Sequence, residues 1–132
     1  MTNISKQRLD EKVEQKLFKQ FTDLFIAAEE RKLAEMFNAL FTDAEKLMFV
    51  KRIAIVLMLS KNVPMYGIAK SLHVSLTTVR AQRDLYETGQ YEPITRITRK
   101  KNFDTESFLS AIEMVLRLGM PSYGKNRWRV LR

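Results

Sequence analysis

A chain of 132 residues, 45% of them hydrophobic, is sized for one domain with room for one appended segment, and it has enough apolar material for a real core. Four glycines, three prolines and few β-branched runs make the expected fold class all-α. The absence of cysteine excludes disulfides and thiolate metal sites and fits a reducing, cytoplasmic location, while a formal charge of +8 points to a polyanionic partner.

The charge is unevenly placed. Residues 1–60 carry 10 Lys and Arg against 9 Asp and Glu, and residues 61–132 carry 13 against 6. A near-neutral half joined to a basic half suggests a scaffold and a polyanion-facing half. The plainer alternative is a basic, solvated surface. The N-terminal text MTNISKQRLDEKVEQK has no apolar stretch, so no signal peptide is expected. The longest apolar run, Ile53 to Leu59, is far too short to cross a bilayer, so no membrane partner is expected.

In chain order, residues 7–40 read as one or two amphipathic helices. Leu17, Phe18, Phe21, Leu24 and Phe25 form a helical stripe that Leu33, Met36, Phe37 and Leu40 continue. These side chains are larger than a lone surface helix needs, so they require cover from the rest of the chain or from a second chain. Thr42-Asp43-Ala44-Glu45 has the form of a capping box, which opens a helix running to about Lys61. The stretch IAIVLML within it is apolar on every side and belongs at the centre of the fold.

Pro64 suits the first turn of the next helix, which turns Ile68, Ala69 and Leu72 inward and ends at His73. Ser75 is a good N-cap for a helix from Leu76 to about Glu87, closed by Gly89. Residues 92–103 read as a basic linker because Pro93 interrupts any helix, and Arg96, Arg99, Lys100 and Lys101 cluster there. Asp104 then caps a last helix with Phe108, Ile112, Val115 and Leu116 on one face, stopped by Gly119 and Pro121. The division expected is residues 1–91, a linker over 92–103, and a C-terminal helix with a basic aromatic tail over 104–132.

The text IAKSLHVSLTTVRAQRDLY, residues 68–86, meets the physical demands of a helix-turn-helix. Ala69 is small where two helices cross closely. Ile68, Leu72, Val74 and Val79 have the spacing that pins them together. With Val79 inward, the second helix offers Ser75, Thr77 and Thr78 to phosphates or base edges. Arg80 and Arg83 can pair with phosphate, or bidentately with guanine. Two positions depart from the usual pattern: His73 stands where a glycine with positive φ is common, and Gln82 where an apolar residue is common.

From Phe37 to Tyr91 the chain resembles the Trp-repressor superfamily, including its YerC-type bacterial relatives. The resemblance rests on the Thr42-to-Glu45 helix opening, Arg52-Ile53-Ala54-Ile55-Val56, the helix-turn-helix text LTTVR, and the closing segment Leu85 to Tyr91. It implies an intertwined helical homodimer that binds double-stranded DNA and regulates transcription, as a repressor, with one reading head per subunit. Half-sites would lie about 34 Å apart on one face of the duplex. The repressor itself sandwiches its corepressor between two arginines, with hydroxyls assisting. Thr42 and Arg52 match two positions of that crevice. Ala81 stands in place of the second arginine and Leu85 in place of a serine, which argues against tryptophan as a ligand. For Arg52 the preferred reading is a surface or interface salt bridge.

Residues 94–132 carry 9 Lys and Arg against 3 Asp and Glu. The 96–101 cluster is expected to track phosphates. Trp128 between Arg127 and Arg129, with Tyr123 nearby, has the basic-aromatic interleaving of single-strand and RNA binders, although docking of Trp128 and Leu131 on the protein is preferred. Catalysis is not expected: His73 is the only histidine, no phosphate-binding glycine loop exists, and Glu29, Glu30 and Glu35 read as a solvated face. No metal site and no cofactor are expected. Two alternatives to a DNA-binding regulator stay open, an RNA or non-specific nucleic-acid binder using the tail and an oligomerisation module with a vestigial helix-turn-helix.

Overall fold

The structure is a computed structural model, and it describes residues 10–100 and 103–117. Among these are seven helices and no strand, so the fold is all-α. None of the helices is long and apolar enough to cross a membrane. The chain divides into two units, residues 1–42 and 43–132.

The first unit contains α1 (Glu11–Ala27) and α2 (Glu30–Leu40). The Asp10 carboxylate caps α1 by accepting the Lys12 N–H at 3.3 Å. The helices part at Ala28 and Glu29, both extended, although nothing in the local text breaks a helix there. The reason is aromatic. Phe21, Phe25, Phe37 and Phe41 form a chain of rings with centroids 4.8, 5.2 and 5.6 Å apart, and the Phe25–Phe37 link requires the backbone to fold back between them. Even so, no residue of α1 or α2 is buried, and Leu17, Phe18, Phe21 and Leu24 are each at least half exposed.

The second unit is built around α3 (Asp43–Ser60). Ala54, Ile55, Val56 and Leu57 are all buried, so four consecutive positions covering a full helical turn face protein, as the all-round apolar text predicts. Asn62, in the left-handed region at φ 60°, ends the helix, and the Val63 N–H returns to the Met58 carbonyl at 3.0 Å. Pro64 stands at the N-cap of α4 (Met65–Leu72), one position ahead of the first turn. Then follow α5 (Leu76–Glu87), α6 (Glu92–Lys100) and α7 (Thr105–Arg117). Helix α3 packs against α4, α5 and α6, and α4 also meets α5 and α7.

Two expectations are corrected. Residues 92–100 are the helix α6 rather than a linker. Pro93 lies in its first turn, where a missing N–H removes no intrahelical bond, so it starts the helix instead of breaking it. The helix is held to the fold by buried Thr95 and by Tyr91 just before it. The boundary also falls at Thr42 rather than at Tyr91, because α7 is no appendage: Ile112 and Leu116 share one core cluster with Ala54, Ile55, Ile68, Leu72 and Val79. The Asp104 cap forms as expected, its carboxylate accepting the Ser107 N–H at 2.9 Å. Lys101, Gly119, Pro121, Tyr123, Trp128 and Leu131 lie outside the described residues.

Because Ile112 is 4% exposed and Met114 is 53% exposed, Ile112→Ala should lower the unfolding free energy by about 2–4 kcal/mol and Met114→Ala by less than about 0.5 kcal/mol, measured by urea denaturation of the full chain. Equal, small losses would return α7 to the status of an appendage.

Candidate nucleic-acid interface

The two short helices α4 and α5 are pinned together from within. Ile68, Leu72 and Val79 are 0%, 3% and 0% exposed, and Ala69 and Val74 are half-buried against the same cluster. The link between the helices is as short as a helix-turn-helix requires. His73 adopts φ 53° and ψ 46°, the left-handed conformation that the sequence assigns to this position, and the His73 and Val74 N–H groups both converge on the Ala69 carbonyl. Two residues later Ser75 starts α5, its hydroxyl accepting the Thr78 N–H at 3.1 Å. The Ser75 and Thr78 hydroxyls also share a hydrogen bond of 2.8 Å.

Gln82, which stands where an apolar residue is common, is hydrogen-bonded within the fold. It is half-buried, and the phenol of buried Tyr91 donates a hydrogen bond to its side-chain oxygen. A polar side chain in this position is satisfied by a partner nine residues on, and Tyr91 also carries the chain into α6. Sequence reasoning missed this pair because nothing in the local text links the two residues.

The structure sorts the residues expected to meet nucleic acid. Thr77 and Arg80 are exposed on the first turns of α5 with no internal side-chain partner among the described residues. Ser75 and Thr78 are exposed but engaged with one another at the cap. Arg83 is half-buried, with Asp84 at 3.7 Å and Glu87 at 3.8 Å, and its Nε is enclosed without a hydrogen-bond partner. Arg83 is therefore a partly neutralised side chain held along the helix, unlike Arg80.

The basic cluster on α6 is also divided. Arg96 forms an ion pair with Glu92, and Arg99 turns back to donate from Nε to the Thr95 carbonyl at 3.2 Å. Lys100 is exposed without a partner among the described residues, and Lys101 lies outside them. Lys70 on α4, not singled out from the sequence, is likewise exposed and unpaired. Exposed ion pairs contribute little and open readily, so Arg96 remains a usable phosphate contact, but its charge is already offset.

Of the two residues matched to a ligand crevice, Thr42 ends the first unit and Arg52 is exposed on α3, where it forms no ion pair among the described residues. No group of three or more Asp, Glu or His suited to a metal ion occurs among the described residues. No protein-family model, curated protein or solved structure matches the chain.

The turn geometry has a direct test. A left-handed β-branched residue is costly and a left-handed glycine is not. His73→Val should therefore lower stability by about 1–2 kcal/mol, whereas His73→Gly should preserve it or raise it by up to about 1 kcal/mol, as read by thermal and urea unfolding.

Proposed function

We propose that the chain is a sequence-specific, double-stranded DNA-binding transcriptional regulator, acting as a repressor and as a homodimer, in which α5 enters the major groove. The observation that carries this reading is the asymmetry of α4 and α5. Their inner faces are fixed by Ile68, Leu72 and Val79, while the N-terminal turns of α5 present Thr77 and Arg80 outward without side-chain partners among the described residues. Exposed at the start of a helix, these groups are hydrated in the free chain and stay available to base edges and phosphates, as a reading head requires. Ser75 and Thr78 set the start of α5, and Arg83 holds its second half by charge, so both act on geometry and phosphate approach more than on base choice.

The homodimer is supported by the half-exposed stripe on α1 and α2. Leu17, Phe18, Phe21 and Leu24 are each at least half exposed along one apolar stripe, and a second copy of the chain is the occupant that the Trp-repressor-like text implies. Tryptophan has no place in the proposal, because Ala81 cannot stack a guanidinium on an indole and Leu85 supplies no hydroxyl.

Selection of bound fragments from a random duplex pool, at near-physiological salt and without tryptophan, should enrich a palindrome with half-sites about one helical turn apart. Arg80→Ala should cost about 1–3 kcal/mol at one base position, whereas Lys100→Ala should weaken binding evenly across sequences and lower the salt slope by about 1. An unenriched pool whose binding vanishes as salt rises would remove the reading head and leave only charge. In sedimentation, the wild-type chain should run at twice its chain mass, and Leu17→Asp with Phe21→Asp should run as a monomer. A wild-type monomer would sink the dimer.

A further inference from the structure

The end of α3, the end of α5, the inner side of α6 and the start of α7 surround a recess of about 290 Å³, lined by Ser60, Lys61, Tyr86, Thr98, Arg99 and Thr105 against an apolar floor at Leu57. We propose that this recess binds a small phosphate monoester. It lies near the lower end of the volumes typical of ligand sites, about 300–1,000 Å³, so the solute is small.

Its chemistry follows from counting donors. Lys61 gives one N–H to Glu106 and keeps two more. Arg99 uses Nε on the Thr95 carbonyl and one terminal nitrogen at 3.5 Å from the Thr95 hydroxyl, which leaves its other terminal nitrogen unpaired. The hydroxyls of Tyr86 and Thr105, both half-buried, have no partner among the described residues. Two cations and two hydroxyls that keep unpaired donors thus line one recess, and Glu106, itself largely exposed, is the one carboxylate paired to either cation among the described residues. A tetrahedral oxyanion is the group that accepts from such a set. Ser60 and Thr98 are the complement. Their hydroxyl protons go to the carbonyls of Leu57, at 2.6 Å, and of Ile94 and Thr95, at 3.1 and 3.0 Å, so toward the recess they act as acceptors. They suit hydroxyl groups on the body that bears the phosphate. Neither Thr42 nor Arg52 lines this recess, which is distinct from the crevice matched to tryptophan. The inference does not depend on the DNA-binding reading.

The test is a nitrogen-15 chemical-shift titration of the full chain with glycerol phosphate, inorganic phosphate and glycerol, at matched ionic strength in chloride. Glycerol phosphate should give saturable shifts confined to residues 57–61, 86, 95–99 and 105. Inorganic phosphate should give the same set with weaker affinity, and glycerol should give none. Arg99→Gln and Lys61→Gln, exposed positions whose folding is checked by circular dichroism, should each weaken glycerol phosphate roughly tenfold, the scale of one charge-assisted hydrogen bond, and Tyr86→Phe should weaken it less. Unsaturable shifts spread over surface lysines and arginines, or unchanged affinity in both charge variants, would overturn the proposal. So would displacement of the phosphate from these residues by duplex DNA, which would assign the donors to the nucleic-acid backbone.

Discussion

A helix that is apolar around its whole circumference cannot rest on a surface; it must be covered on every side. Ala54 to Leu57 impose that condition on the second unit. Helices α4, α5 and α6 lie against α3, and α7 closes the cluster through Ile112 and Leu116. The short pair α4–α5 illustrates the dependence. Helices of 8 and 12 residues are marginal by themselves, and they persist here because Ile68, Leu72 and Val79 are inserted into a core that α3 already defines. The rigidity that a reading head would need is borrowed from the buried turn of α3.

Much of this was legible in the text wherever the controlling interaction is local. A helix that must stop within one residue needs a left-handed position, and His73 holds it; a helix that must start two residues later needs a short acceptor, and Ser75 supplies it. Inward positions at helical spacing, from Ile68 to Val79 and from Ile112 to Leu116, proved to be buried for the same reason. Where a distant partner decides, the text was silent or misleading. The break at Ala28–Glu29 is set by Phe25 meeting Phe37, a contact that no local propensity encodes. Pro93 has one meaning inside a helix and another in its first turn, and only the packing of Thr95 and Tyr91 determines that a helix begins there. Gln82 departs from the usual apolar pattern, and its partner, Tyr91, lies nine residues on.

Charge was the least legible property, because formal charge counts residues and takes no account of which are already paired. The second half of the chain is rich in Lys and Arg, yet Arg83 is offset by Asp84 and Glu87 and Arg96 by Glu92. What remains exposed and unpaired among the described residues includes Lys70, Arg80 and Lys100, each from a different helix.

The apolar stripe and the unpaired donors are two forms of one physical statement. Leu17, Phe18, Phe21 and Leu24 leave apolar surface in water, and Thr77 and Arg80, without side-chain partners among the described residues, leave hydrated polar groups open to a ligand. The first suits an apolar partner and the second a polar, anionic one. In the proposed dimer a second copy of the chain covers the first and duplicates the second. A symmetric duplex site is the partner whose own two-fold symmetry matches such a duplication, and for this reason the dimer and the reading head belong to one proposal.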